Sequence, residues 1–223
     1  MPILSKEEAQ TILKKVLSYS KADECEVSLN GSEGGNIRYA LNAVSTAGDI
    51  SVMGLVVTSV YGKKAGTATI DEFDDAALER VVRRSEELAQ LAPPNPEYMP
   101  MLGPQTFAES ITFNANTAAI TPESRAEMVA KSLSVTKEAK LTAAGFLENS
   151  SGFSAIMNSK GLFAYNKGSD VTFSVTTRNQ EGTASGYAAR GFTDVSKLDT
   201  FTATKVAAGK AIGSVGAKAI EPG

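Results

Sequence analysis

Five of the eight prolines in this sequence lie between residues 93 and 104. Proline lacks a backbone N–H and fixes φ, so neither a helix nor a central β-strand can run through this stretch. It is the clearest boundary in the chain. We therefore predict two domains, an N-terminal domain over residues 1–100 and a second domain over residues 101–223.

The pattern before the prolines predicts a helix, several strands and a second helix. Ser5 and Glu8 have the spacing of a capping box. An apolar face follows at helical spacing, formed by Ala9, Ile12, Leu13, Val16 and Leu17. Strand-like segments separated by glycine-rich breaks cover residues 26–29, 35–42, 50–61 and 65–70. Asp71 stands where an N-cap belongs, and the second helix is predicted to end near Ala92.

The same order recurs after the prolines. Thr121 and Pro122 are typical of a helix start, and this helix is predicted to end at about Ala139. Strand-like segments cover residues 141–148, 153–158, 161–165, 170–177 and 183–189, with turns at 166–168 and 180–182. A last helix is predicted from around Ser196. Its inward side chains are expected to be Leu198, Phe201, Ala208, Ile212 and Val215.

These patterns predict the α+β class, with two successive helix–meander–helix units and mainly antiparallel sheets. Gly66-Thr67-Ala68 precedes one closing helix, and Gly186-Tyr187-Ala188 precedes the other. These short matches indicate duplication, and the repeated order of helices and strands supports a repeat more strongly than the matches do.

The composition excludes several classes of function. The chain has no histidine and a single cysteine, Cys25, so most catalytic metal sites and nucleophile–base pairs cannot be built. A net charge of −3 with scattered Lys and Arg gives no basic field for nucleic acid. No stretch approaches the ~18 apolar residues that a membrane span needs. We expect a cytoplasmic protein that contacts neither nucleic acid nor membrane.

The residues that could carry chemistry have simpler interpretations. Cys25 lies among carboxylates, which disfavour a thiolate, and is interpreted as a small apolar residue at a strand start. Ser150-Ser151-Gly152 and Ser159 have no histidine base, and a Ser/Lys pair with Lys160 is a weak alternative. The glycine-rich run 31–35 is interpreted as a hairpin loop, not a phosphate loop. The acidic cluster could offer oxygen ligands to a hard cation but is interpreted as helix capping; it consists of Asp71, Glu72, Asp74 and Asp75. We therefore assign no catalytic, cofactor-binding or metal-binding residue.

Several runs together resemble one known family over nearly the whole chain. The runs that resemble the first domain of the TldD/PmbA family are Val44 to Gly48, Met53 to Val57 and Tyr61 to Thr69, followed by a helix ending at Ala89. Asn158-Ser159-Lys160-Gly161, read with Gly145-Phe146, looks like the Asn-Ser-x-Gly strand pair of that family's second domain. The closing Ala-rich helix and Glu221-Pro222-Gly223 resemble the segment that leads into its third domain.

The resemblance implies that the chain is related to a family of cytoplasmic proteins, known as modulators of DNA gyrase and as zinc-dependent peptidases. Members of this family act on unfolded peptides, commonly as paired subunits. Their His-Glu-x-x-x-His zinc motif belongs to a third domain, which we expect to be absent from this chain. The chain alone is then expected to be inactive and to hold no zinc. Its expected role is a non-catalytic substrate-chamber and subunit-assembly region that binds unfolded peptide, as a homo- or heterodimer. The alternative is a free-standing module that binds partner proteins through a sheet edge.

Overall fold

The computed structural model describes residues 3–221 and residue 223, so Pro222 of the predicted connecting segment lies outside the described residues. The first half contains α1 (Lys6–Tyr19), β1 (Glu24–Ala40), β2 (Ala43–Tyr61), β3 (Lys64–Ile70) and α2 (Asp75–Leu91). The second half contains α3 (Ala115–Ala118), α4 (Pro122–Glu138), β4 (Thr142–Asn158), β5 (Phe163–Arg178), β6 (Ser185–Phe192), a 3-10 turn (Val195–Lys197) and α5 (Thr200–Gly213). The α+β class is confirmed, and each half has three strands between two long helices.

The six strands form a single sheet in the order β3-β2-β1-β4-β5-β6. β2 and β3 pair antiparallel from Leu55↔Ile70 to Tyr61↔Lys64. β5 and β6 pair antiparallel from Val171↔Phe192 to Arg178↔Ser185. The predicted break after residue 61 and the predicted turn at 180–182 separate these strand pairs, as expected.

Several predicted strand breaks are wrong, because the strands are longer than the glycine pattern suggests. The run 31–35 lies inside β1, residues 150–152 lie inside β4, and residues 166–168 lie inside β5. A Cβ at Gly31 would lie 2.4 Å from the Phe153 ring, so a close packing partner explains this glycine better than a loop does.

Side-chain caps set the helix starts. α1 has the predicted capping box, with the Glu8 N–H donating to Ser5 Oγ at 3.1 Å and the Ser5 N–H donating to Glu8 at 2.7 Å. α4 begins after Thr121 with Pro122 in its first turn, also as predicted. Two predicted starts are wrong, because Asp74 caps α2 in place of Asp71, and Asp199 caps α5 beyond Ser196.

Three of the inward residues expected for the last helix, Leu198, Phe201 and Ala208, pack against the apolar clusters of unit 2, but the other two do not. Ile212 and Val215 are 59% and 64% exposed, so neither belongs to the core. Small side chains form the buried face, and they are Thr200, Ala203, Thr204, Ala207, Ala208 and Ala211. Small residues let a helix approach a sheet closely, which the large apolar residues could not.

The chain forms two compact units, each assembled from three segments. Unit 1 comprises residues 1–33, 51–111 and 152–167, and unit 2 comprises residues 34–50, 112–151 and 168–223. Unit 1 packs α1 and α2 around Leu13, Val27 and Val82. Unit 2 packs α4 and α5 around Tyr39, Leu147 and Phe173. The division of the chain into domains 1–100 and 101–223 stays a prediction from the sequence.

In unit 1 the proline-rich stretch, residues 93–104, has neither helix nor strand, as predicted. The carboxylate of Glu24 fixes its position. Glu24 accepts hydrogen bonds from Tyr98 Oη at 2.5 Å and from the Met101 N–H at 3.0 Å, and Lys160 lies 3.2 Å away. The Met101 and Tyr98 hydrogen bonds lower the pKa of Glu24. Burial and the Glu24 carboxylate raise the pKa of Tyr98 to about 12. The ionised form of Glu24 and the neutral form of Tyr98 therefore favour the folded state.

Replacing Glu24 with Gln tests whether the Glu24 carboxylate stabilises the fold in a pH-dependent way. Because the folded pKa of Glu24 lies below its ordinary value of 4.5, its stabilisation is complete above 4.5 and disappears as pH falls through the folded pKa. We expect Glu24→Gln to melt below the native chain at pH 7 and the difference to shrink at lower pH. A difference in melting temperature that stays constant down to about pH 3 would contradict the prediction.

Candidate functional site

The part of β2 that belongs to unit 2, Ala43–Ile50, is exposed at every residue. Its side chains are small or uncharged except for Asp49. β3 lies beside β2 only from Leu55 onward, and no other described strand takes the outer side of β2. We call Ala43–Ile50 the open edge. Backbone groups on such an edge are available to a strand from another chain.

A two-residue turn connects β1 to the open edge. Leu41 and Asn42 have φ values of 51° and 61°, and positive φ at both positions is typical of the type I′ hairpin turn. The Asn42 side chain donates to the Leu141 carbonyl at 2.9 Å and accepts from the Ala143 N–H at 2.8 Å and Thr136 Oγ1 at 3.1 Å. This side chain fixes the start of the open edge.

A buried arginine holds the other end of the open edge. Arg125 of α4 has a side chain only 3% exposed, and its guanidinium donates to Asp49 and, at 2.9 Å, to Asn149 Oδ1. A Cβ at Gly35 would lie 2.2 Å from both Arg125 Nη1 and Asp49 Oδ1, so a side chain at this position would displace the pair. A buried guanidinium needs such partners because water no longer solvates it. The open edge is thus fixed at both ends.

Neither anchor, Asn42 nor Arg125, was predicted as a site residue from the sequence. An asparagine between two strand-like runs is a turn signal that could have located the hairpin. Arg125 lies one turn before the buried Val129 on the inner face of α4, but helical spacing alone does not reveal its distant partners.

The residues considered for chemistry have structural roles. Cys25 is buried, and burial raises the pKa of its thiol. Ser159 Oγ accepts from the Cys25 N–H at 3.0 Å, while Lys160 pairs with Glu24, so these two residues do not act on each other as nucleophile and base. In the acidic cluster, Asp74 caps α2, Asp75 pairs with Lys15 and Glu72 pairs with Arg80.

Among the described residues, no group of three His, Cys, Asp or Glu side chains is placed to hold a metal ion. No helix in that part of the chain is both long and apolar enough to cross a bilayer.

Two family models match most of the chain, in agreement with the resemblance seen in the sequence. Residues 25–89 match the family model described as PmbA/TldA metallopeptidase domain 1, and residues 114–221 match the PmbA/TldA metallopeptidase central domain. The chain belongs to the PmbA/TldD family. No curated protein matches this chain in sequence.

Solved structures show the same PmbA/TldD-type fold at low identity. TldE from Thermococcus kodakarensis aligns with a TM-score of 0.82 and 17% identity over 93% of this chain and 47% of its own. A candidate DNA gyrase modulator from Thermotoga maritima aligns with a TM-score of 0.85 and 16% identity over 96% of this chain and 50% of its own. One from Bacteroides thetaiotaomicron aligns at 0.78 and 14%, over 97% and 51%. The chain spans about half the length of these relatives.

The family name implies a metal, but the donor set present here does not fit catalytic zinc. Such sites use three protein ligands, mostly imidazole, carboxylate or thiolate, with one open position. This sequence has no imidazole, and its one thiol is buried in unit 1. No chemical step is therefore assigned to these residues.

Replacing Asn42 with Gly tests the turn anchor. Glycine accepts the positive φ but removes three side-chain hydrogen bonds, so we expect a loss of about 1 to 3 kcal/mol in the free energy of unfolding. Leu41→Gly is the control, because it relieves a left-handed leucine and removes no side-chain hydrogen bond; we expect it within about 1 kcal/mol of the native chain. Equal losses measured by urea unfolding would contradict the role of the Asn42 side chain.

A pair of glycine substitutions tests the arginine anchor. Gly35→Ala places a methyl group against the Arg125–Asp49 pair and is expected to cost about 1 to 3 kcal/mol of unfolding free energy. Gly48→Ala lies on the open edge with no atom within 4 Å, so we expect it to be neutral or to stabilise by up to about 1 kcal/mol. If thermal unfolding shows Gly35→Ala to be as stable as Gly48→Ala, the packing described around Arg125 is wrong.

Proposed function

We propose that this chain is the non-catalytic substrate-chamber and subunit-assembly region of a PmbA/TldD-type metallopeptidase, and that its open edge binds unfolded peptide by strand addition. The observation that carries the proposal is an exposed strand segment with an uncovered outer side and both ends anchored. The match to domain 1 and to the central domain of a metallopeptidase family supports the assignment to a peptidase.

The chemistry of the open edge suits substrates of varied sequence. Strand addition gains its affinity from main-chain hydrogen bonds, which every peptide except a proline-rich one can make. The small side chains Ser45, Ala47 and Gly48 offer no deep pocket that would select one residue. The anchors hold the edge extended before binding, which lowers the entropy cost of ordering it.

Peptide hydrolysis would take place outside these residues. Zinc and its ligands would belong to another part of the enzyme, and this chain would present the peptide to it. The chain would act in the cytoplasm as a homo- or heterodimer with another PmbA/TldD-type subunit. Sedimentation of the pure chain, alone and with such a subunit, tests the dimer, and cell fractionation tests the location.

Two adjacent proline substitutions test strand addition at the open edge. Neighbouring residues of a strand direct their N–H groups to opposite sides, so one of Ser45→Pro and Thr46→Pro removes a ladder hydrogen bond while the other removes a free N–H. We expect the variant that keeps the native melting temperature to bind an unstructured peptide at least tenfold more weakly. The peptide should bind the native chain with a Kd tighter than about 1 mM in calorimetry at ~100 μM of both.

Thr46→Val is the matched control, because it changes a side chain on the edge and keeps the N–H. Its affinity should stay within about twofold of the native value. A peptide N-methylated at every residue should lose binding, since no N–H remains on either side of its backbone. Undiminished binding of the N-methylated peptide, or of both proline variants, would rule out strand addition at Ala43–Ile50.

A further inference from the structure

β6 is a terminal strand of the sheet, and its hydrogen-bond register shows which backbone groups face outward. The Asn179 N–H donates to the Ala184 carbonyl at 3.1 Å just before β6 begins. The same pairing continues through Thr177↔Gly186 and Val175↔Ala188. Bonded pairs alternate in an antiparallel ladder, so the even-numbered residues of β6 bond to β5. The odd-numbered residues direct their N–H and C=O groups away from the sheet.

Side chains of unit 2 cover the outward carbonyls in succession. The carbonyl of Tyr187 accepts from Lys210 Nζ at 2.9 Å, and that of Ala189 accepts from Arg190 Nη1 at 2.7 Å. The carbonyl of Ser185 accepts from the hydroxyl of Ser214 at 3.3 Å, a hydroxyl that also lies 3.0 Å from the Ala211 carbonyl. Thus the first three outward carbonyls of β6 all have a side-chain donor, and two of the donors are cations.

The position of α5 explains how Lys210 reaches the strand. A Cβ at Gly186 would lie 2.1 Å from the Ala207 carbonyl oxygen and 2.6 Å from the Ala211 nitrogen. Only glycine allows this approach, which sets the helix directly against β6. Lys210 extends from the helix at this contact to the outer side of the strand.

We propose that Lys210 and Arg190 keep the outer edge of β6 from pairing with the β6 edge of a second copy of this chain. Without them the edge would suit such pairing, because it is eight residues long and consists mainly of small residues with an exposed Tyr187. An approaching strand must displace both cations from the carbonyls, and two copies would bring four cations together. This inference concerns a different strand from the proposed peptide site and does not depend on it.

The test is a double variant, Lys210→Met with Arg190→Met, in the full chain. Methionine keeps an aliphatic stem of similar length but donates no hydrogen bond. The control is Lys197→Met with Lys205→Met, which changes the net charge by the same amount. The ammonium group of Lys205 lies over the Phe201 ring, 4.5 Å from its centroid. We expect sedimentation velocity to show at least tenfold stronger self-association for the first variant than for the native chain and the control.

A third change locates the new contact. The Ala189 N–H faces outward, so Ala189→Pro removes no bond to β5 but prevents pairing on the outer side. Added to the Lys210/Arg190 variant, it should return self-association to the native level. If the double variant does not fold, Lys210→Met against Lys205→Met gives the same comparison with one change each. Equal self-association of the Lys210/Arg190 variant and the Lys197/Lys205 control, or gained self-association that survives Ala189→Pro, would overturn the proposal.

Discussion

A strand at the border of a sheet carries backbone donors and acceptors that need partners, and unit 2 meets this need in two ways. Along β6, Lys210, Arg190 and Ser214 supply donors to the outward carbonyls. Along Ala43–Ile50, the strand is exposed, and anchors fix its ends instead. A side-chain donor on a border carbonyl hinders another strand, whereas an anchored and uncovered border is ready to receive one. The contrast makes the open edge the specific candidate for peptide binding.

The sequence predicted those features that depend on neighbours within one helical turn. The capping box of Ser5 and Glu8 and the Thr121-Pro122 helix start depend on residues three or four positions apart. The order of helices and strands in each half follows from periodicity, which is also local. Asp74 replaced Asp71 as the cap of α2 because several acids stand together there, and only the three-dimensional path of the chain after β3 selects one.

Features that depend on distant partners could not be predicted. Gly34 and Gly35 suggested a hairpin loop, yet each makes room inside β1 for a neighbour supplied by another part of unit 2: the Asn149 carbonyl for Gly34 and the Arg125–Asp49 pair for Gly35. Glycine has the same appearance in a sequence whether it permits a turn or a close contact. The buried Arg125 is a further case, since a charged residue on a helix is normally expected at the surface.

The closing helix of each half packs closely against a strand at a glycine, but the lysine hydrogen bond beside this contact differs between the two halves. A Cβ at Gly66 would lie 2.1 Å from the Ala89 nitrogen of α2, just as Gly186 admits α5 against β6. The short glycine match between the halves therefore corresponds to a shared physical need. In the first half the strand residue Lys64 donates to the Gln90 carbonyl near the end of α2, at 3.2 Å. In the second half the direction is reversed, because the helix residue Lys210 donates to the strand. The same close approach thus stabilises a helix end in one half and covers a sheet border in the other.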